Sequence, residues 1–406
     1  MENYIADVMT LSRQCDCGNH HNPIPIEVIK IGNDALKDAA HFIKNKEFQK
    51  VVIIADAQTF KAGVERLAES LKEKQIAFSV TILKPDENND VVADEKSLVQ
   101  ALLDIPAEAD VLIAFGAGTI HDITRFCATK LKLPFVSVPS APSVDGFTSL
   151  GAPLIVRGVK TTFQMSSPVA VFADLSILNA APKEMIAAGF GDMMAKYTSL
   201  ADWKLGHIAG GEPYCPLSAQ ITRDALESCV DHVEDIEACD ARGGRILIEA
   251  LIKSGIAMLL FGQSHPASGG EHHLSHYWEM EFLKQGRPAV LHGAKVSVAT
   301  ILLSEIYKRN FLHWIDSENL DQIEDQQIIN NIRQNLDEIK RIYEEIPQPE
   351  MLREMLVKLG GVTTPAELGI SEQLVNQSLQ DAHHLRNRFT ALKFLNEVVK
   401  VSPQFV

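Results

Sequence analysis

Between about residues 25 and 180, short β-rich apolar runs alternate with helical segments, and this constrains the fold more than any other feature. The runs are "KVVIIAD", "FSVTIL", "VLIAFGAG", "PFVSVPS" and "PVAVFAD"; between them lie segments such as "VERLAESLKEKQ" and "EKSLVQALLD". Strand–helix alternation of this kind predicts a mainly parallel sheet with helices on both faces. After Pro182 the strand signal fades. Helical periodicity takes over in "KEMIAAGFGDMMAKYTSLADWKL", "GGRILIEALIKSGIAMLL", "AKVSVATILLSEIYKRN" and "LVNQSLQDAHHLRNRFTALKFLNEVV". The expectation is an α/β domain over residues 1–183 followed by an all-helical domain over 184–406. The polar interval "DSENLDQIEDQQIINN" reads as an exposed acidic helix or loop.

A chain of 406 residues exceeds one ordinary core, which fits two domains. Its formal charge of −15 argues against nucleic acid as a partner, because phosphate backbones need clustered Lys and Arg. A small anionic substrate needs only a few local cations and stays open. The six cysteines (Cys15, Cys17, Cys127, Cys215, Cys229 and Cys239) are scattered, and "MENYIADVMT" carries no signal-peptide pattern. They are expected to be reduced thiols in a cytoplasmic protein. The longest apolar stretch, "ILIEALIKSGIAMLLFG", contains Glu249 and Lys253 and reads as a buried helix, not a membrane span.

Three loops at strand ends suggest a dinucleotide crevice. In "VLIAFGAGTIHDITRFCA" an apolar strand runs through Gly116, Ala117, Gly118 and Thr119 into a helix. Glycines let backbone N–H groups approach a diphosphate, and the helix N-terminus favours its charge. The pattern is GxGT, not full GxGxxG, so a plain strand-to-helix turn competes with it. The next strand is followed by "SVPSAPSVDGFTSLGAP", in which Ser140, Ser143 and Ser149 could donate to phosphate or carboxamide, and Asp145 precedes a glycine as a turn former would. Asp56 ends "VVIIAD", where a carboxylate can accept both hydroxyls of an adenine ribose and disfavour a 2′-phosphate; a helix N-cap is the competing role.

The helical half carries acid and imidazole. Asp192 follows Gly-Phe-Gly at the start of an apolar stretch; it could cap a helix, or the glycines could admit close backbone or ligand. In "SGGEHHLSHYWEM", His272 and His276 share a helix face, while His273 points about 100° away, toward a neighbouring group or solvent. His292 precedes Gly293 in "AVLHGAKVSVAT". For any single histidine a surface or core role is commoner. One Asp and two His on separate helices, with an open fourth position, describe a catalytic divalent-metal site. The N-terminal "CDCGNHHNP" (Cys15, Cys17, His20 and His21) could be an accessory metal cluster, since thiolates and imidazoles suit zinc, but its CxC spacing misses the usual finger pattern, and a disordered or merely packed lead-in is expected.

Taken together, "FGAGTIHD", "PSAPSVDGFTS", "AAGFGDMMAKYTSLADW", "GGEHHLSHYWE" and "LHGAKVSVATI" resemble the bacterial branch of the sn-glycerol-1-phosphate dehydrogenases. These belong to the superfamily of glycerol dehydrogenase, iron-containing alcohol dehydrogenase and dehydroquinate synthase. The resemblance covers roughly residues 20–300. It implies Asp192, His272 and His292 as ligands of one divalent metal, nickel or zinc, and Asp145 and His276 beside the substrate as catalytic groups, with Asp192 also near it. It gives Asp56, the loop Gly116–Asp122 (with Gly118, Thr119, Ile120, His121 and Asp122), the loop Ser140-Ala141-Pro142-Ser143, and Ser149 to the nicotinamide cofactor. NAD(H) is the expected preference, with NADP(H) as the second option.

The implied reaction is hydride transfer between NAD(P)H and dihydroxyacetone phosphate, giving sn-glycerol 1-phosphate for lipid synthesis, in a homodimer. The phosphate clamp is not legible; Arg157, Lys160 and Lys196 are candidates by neighbourhood, and Lys196 could instead pair with Asp192 across one helical turn. A glycerol or other polyol dehydrogenase on the same scaffold is the nearest rival reading. A dehydroquinate-synthase-type lyase and a non-catalytic sensor rank below it.

Overall fold

A computed structural model describes residues 1, 3–316, 320, 321 and 323–405. Six strands form one all-parallel sheet: β1 (Val28–Gly32), β2 (Lys50–Asp56), β3 (Ala77–Leu83), β4 (Val111–Gly116), β5 (Phe135–Pro139) and β8 (Ala170–Asp174), in the order β1-β8-β5-β4-β2-β3. Successive side chains of a strand point to opposite faces, and here each face meets helices. Val51, Ile53, Val111 and Ile113 pack under α2 (Ala35–Asn45) and α3 (Glu65–Glu73). Val52, Ile54, Leu112 and Ala114 pack under α4 (Glu95–Asp104) and α5 (Gly118–Leu131). Burial on both sides is why these strands read as continuous apolar runs.

Strand β2 pairs with both β3 and β4, so the chain leaves it in one direction and returns on the other side. The connections diverge there, opening a crevice beyond the strand ends where ligands of such sheets bind. Asp56 and Gly116 stand at that edge. Ser140 N donates to Gly116 O at 3.0 Å, joining the loops after β4 and β5.

Three strands escaped the sequence reading. β1 is a short edge strand with little burial, "VIKIG". β6 (Gly151–Val156) and β7 (Val159–Gln164) form a separate antiparallel hairpin whose turn holds Arg157 at φ 55°. Thr161, Thr162 and Gln164 of "VKTTFQ" are exposed and only Lys160 turns partly inward, so the strand lacks the apolar signature of the sheet strands.

Beyond β8 the long elements are helical: α6 (Lys183–Met194), α7 (Lys196–Gly210), α8 (Pro216–Val230), α9 (Ala241–Phe261), α10 (Gly270–Lys284) and α11 (His292–Ile306), followed by shorter helices. "ILIEALIKSGIAMLLFG" lies in α9, and no described helix is long and apolar enough to cross a membrane. Their core includes Trp278, Tyr307, Phe311, Tyr343 and Phe394. At its centre Asp202 accepts from Tyr307 Oη at 2.9 Å, Tyr343 Oη at 2.8 Å, Gly270 N at 2.8 Å and Ala391 N at 2.9 Å. A buried carboxylate satisfied this fully ties the start of α10 to α7 and to the C-terminal segment.

The "DSENLDQIEDQQIINN" interval is less exposed than its composition predicts. Residues 317–319 and 322 lie outside the described residues, but Leu320, Ile323 and Ile329 are buried, and Asp325 caps the helix that follows. The lead-in is also ordered. α1 (Tyr4–Gln14) sets Val8 against Ile221, Ile252 and Ile256 of α8 and α9, so the N-terminus packs on the helical half.

Candidate active and metal centre

The centre forms where α6, α10 and α11 meet the loop after β5. Close backbone approach makes this meeting possible. A Cβ on Gly189 of α6 would lie 1.8 Å from Pro142 O, and one on Gly293 of α11 would lie 1.9 Å from Ala188 O. Any side chain at either position would push the helices apart. The Gly-Phe-Gly preceding Asp192 thus admits backbone. The same approach lets Asp145 N donate to Asp192 Oδ2 at 2.9 Å.

Asp192, His272 and His292 each present a donor atom within 4.8 Å of the others. The rings of His272 and His292 have centroids 5.3 Å apart, and His272 Nε2 lies 3.9 Å from Asp192 Oδ1. A cation bonded at about 2.0–2.2 Å to such nitrogen and oxygen donors spans separations a little shorter than these. His272 is already oriented for the purpose: its Nδ1–H donates to Glu271 Oε1 at 2.7 Å, which leaves the Nε2 lone pair facing Asp192. Glu271 is fully buried and accepts further bonds from Thr198 Oγ1 at 2.7 Å and Gly269 N at 2.6 Å. The donor set and its support fit a divalent cation. Glu271 was passed over in the sequence, although a carboxylate adjoining a candidate ligand was the available signal.

Lys196 bridges Asp192 Oδ1 at 2.9 Å and Asp145 Oδ2 at 2.8 Å. Burial opposes its charge, but the two carboxylates outweigh that and hold its pKa above the ordinary value. Lys196 is therefore engaged within the centre and is not free to clamp phosphate. Asp145 also accepts from Ser254 Oγ at 2.8 Å; burial and the neighbouring Asp192 raise its pKa. It braces Asp192 through its N–H and through Lys196.

His276 sits one turn along α10, with its ring centroid 6.0 Å from that of His292. Arg386 Nη2 donates to its Nε2 at 3.0 Å, and Nδ1 lies 3.7 Å from Glu279 Oε2. Burial drives its pKa down to about 3, so the ring is neutral. Arg386 is the group the sequence reading missed here, hidden in a helical-looking tail. Its remaining bonds go to Ser264 Oγ at 3.3 Å and Ser268 Oγ at 3.0 Å. Among the described residues no carboxylate lies within ion-pair distance of it.

His273 corrects an expectation. It faces neither solvent nor a hydrogen-bonding neighbour: it is fully buried, and both ring nitrogens lack partners among the described residues. Arg157 stands at the exposed hairpin turn, its N–H on Glu95 Oε1, away from the centre. Lys160 does reach it. Its ammonium and that of Lys295 share Glu279 Oε1 at 2.8 and 3.3 Å, beside a cavity of about 130 Å³ also lined by Thr119 and Asp122.

The residues expected on the cofactor side gather around the turn from β4 into α5 and the loop after β5. His121 is buried: its Nδ1–H donates to Ala117 O at 2.9 Å and its Nε2 accepts from Ser137 Oγ at 2.7 Å; Ile120 is core, and both side chains hold the turn. Asp122 pairs with Arg125 at 2.9 Å, and burial raises its pKa to about 7. Gly116, Gly118, Thr119, Ala141, Pro142 and Ser143 lie in the two joined loops, and Ser149 Oγ donates to Gly146 O at 3.3 Å. Asp56 does act as an N-cap: its Oδ1 accepts from Gln58 N at 2.8 Å and Thr59 N at 2.7 Å. These bonds use Oδ1, so capping and ribose binding through Oδ2 are compatible.

Residues 30–182, the parallel-sheet part of the chain, match the family described as iron-containing alcohol dehydrogenase. Two solved structures share the fold. The archaeal halo-thermophilic Red Sea brine pool alcohol dehydrogenase aligns with a TM-score of 0.67 at 15% identity over 90% of this chain and 92% of that one. The glycerol dehydrogenase of Schizosaccharomyces pombe aligns with 0.65 at 15% identity, over 94% and 86%. Closer relatives are named glycerol-1-phosphate dehydrogenase, NAD(P)+: that of Geobacillus stearothermophilus is 52% identical over 99% of this chain and 100% of its own length, and that of Pyrococcus furiosus 30% identical over 92% and 94%. The chain belongs to the glycerol-1-phosphate dehydrogenase family.

Proposed function

We propose that the protein interconverts dihydroxyacetone phosphate and sn-glycerol 1-phosphate with a nicotinamide cofactor, at a centre where Asp192, His272 and His292 hold one divalent cation. The observation that carries this reading is the juxtaposition of that cluster with Arg386, a half-buried guanidinium bonded, among the described residues, only to neutral groups. A cation partly withdrawn from water is normally paired, so an anionic substrate group is the natural counter-ion. When bound, the cation would polarise a carbonyl and stabilise charge developing on its oxygen, and the nicotinamide would exchange the hydride.

The chain's own residues do the rest. Glu271 fixes the His272 tautomer, and Lys196 with Asp145 holds Asp192 in place. Arg386 takes the substrate phosphate, with Lys160 and Lys295 as further cations across His276. Drawing Arg386 onto phosphate frees His276 Nε2 to accept the hydroxyl proton during oxidation and return it during reduction. The loops at Gly116–Asp122 and Ser140–Ser143, with Ser149, present backbone and hydroxyl donors to the cofactor.

NAD(H) is the preferred cofactor in this reading, because Asp56 would repel a 2′-phosphate, and a nitrogen-rich donor set suits nickel or zinc. A cytoplasmic homodimer completes it. Asp56→Ala should raise the ratio of kcat/KM for NADPH over NADH by about tenfold, the worth of about 1.4 kcal/mol. Its stability should fall by about 1 kcal/mol through loss of the cap. An unchanged ratio would remove Asp56 from the ribose site. The substrate is tested by initial rates with NADH and either dihydroxyacetone phosphate or unphosphorylated dihydroxyacetone. Turnover is expected to be far faster with the phosphorylated ketone; equal rates would point to a polyol dehydrogenase.

A further inference from the structure

The lead-in expected to be merely packed contains a second cluster, distant in sequence from the first. Cys15 and Cys17 follow α1, His21 lies four residues on, and Cys215 caps α8 from 194 residues away. Cys15 Sγ and Cys215 Sγ are 4.0 Å apart, Cys17 Sγ and His21 Nε2 3.5 Å, and His21 Nε2 and Cys215 Sγ 3.2 Å. All four donor atoms lie within 4.8 Å of one another. Tetrahedral zinc bonded at about 2.3 Å to sulfur and 2.0–2.1 Å to nitrogen sets S–S at about 3.8 Å and S–N at about 3.5 Å. The three observed separations lie within a few tenths of an ångström of those values. They are far too long for a disulfide, which needs about 2.05 Å, and all six cysteines are free.

We propose that Cys15, Cys17, His21 and Cys215 form a structural zinc site that pins the N-terminal lead-in to the helical half. The set is closed: three thiolates and one imidazole fill a tetrahedral shell and leave no open position for a substrate, unlike the Asp192 centre. Soft thiolates also select zinc over harder cations. Burial raises the Cys215 thiol to about 11, so its thiolate would need the cation, and two features of the fold work in the cation's favour. Ser218 N donates to Cys215 Sγ at 3.4 Å, and Cys215 sits at the positive N-terminus of the 15-residue α8. Asn19 Nδ2 straps the loop by donating to Tyr214 O at 2.8 Å and Cys17 O at 3.3 Å. Leu200, Trp203, Ala219 and Phe261 cover the inner side. The CxC spacing argued against the site in the sequence because the fourth ligand lies 194 residues beyond His21, and only folding brings it near.

The test uses the full chain loaded with cobalt(II), read by metal analysis and absorption. Because the Asp192 centre has no sulfur, a sulfur-to-cobalt charge-transfer band reports the second site alone. Wild type should carry two metal equivalents per chain with that band. His272→Ala should lose one equivalent and keep the band. Cys17→Ser, chosen because Cys17 is half-exposed, should lose one equivalent and the band, retain turnover, and expose the first two dozen residues to faster proteolysis. A single equivalent in wild type with no sulfur band, or a Cys17→Ser variant that keeps both metals and the band, would overturn the proposal. So would a disulfide among Cys15, Cys17 and Cys215 in protein purified under reducing conditions.

Discussion

His272→Ala is expected to reduce turnover of dihydroxyacetone phosphate by at least ~10³-fold, since a bound cation supplies several kcal/mol of charge stabilisation and each 1.36 kcal/mol is a factor of ten. His292→Ala and Asp192→Asn should do the same. The fold should survive, because the core of the helical half is built from other residues: Trp278, Tyr307 and Tyr343 around Asp202. Circular dichroism and the unfolding midpoint check that point. Glu271→Gln provides a graded comparison. It keeps the size of the side chain but weakens the acceptor on His272 Nδ1, so a loss of about 10–100-fold in metal affinity or activity is expected. If His272→Ala turns over at the parental rate, these residues do not hold the reacting metal.

Arg386→Ala should raise KM for dihydroxyacetone phosphate by about 10–100-fold, matching the about 1.5–3 kcal/mol of a hydrogen bond to a charged group. Any slow turnover of the unphosphorylated ketone should be unaffected, which separates loss of phosphate binding from general damage. The charge matters in a second way. Arg386 and Arg388 lie close enough to repel, and burial together with Arg388 brings the Arg386 pKa down to about 10. Arg388 has Glu212, 3.6 Å from its Nε, as partner; Arg386 bonds only to Ser264, Ser268 and His276. Removing a half-buried cation without a carboxylate partner should therefore leave stability unchanged or raise it. A marked loss of stability with an unchanged KM would make Arg386 a structural residue instead.

The sequence showed the sheet because strands buried on both faces must be apolar throughout, as in "KVVIIAD" and "VLIAFGAG". It hid β1, β6 and β7 because edge and hairpin strands carry polar residues that are not fully buried, such as the half-buried Lys30 and the exposed Thr161. The Asp192, His272 and His292 cluster was accessible through residue type and resemblance, and the structure brings those side chains together. Their supports were not legible. Glu271 and Asp202 act through hydrogen bonds to distant helices, and Arg386 reaches His276 from 110 residues away. No local spacing encodes such contacts. Cys215 shows the same limit, since an N-cap position in one helix gave no sign of partners beyond another.

The most direct measurement is the initial rate of NADH oxidation by dihydroxyacetone phosphate in protein as purified, after exhaustive chelation, and after nickel or zinc is returned. Activity should vanish on chelation and recover with the added cation in the parent protein, but not in His272→Ala. Undiminished oxidation by thoroughly stripped protein would contradict a cation at Asp192, His272 and His292 as the source of catalysis.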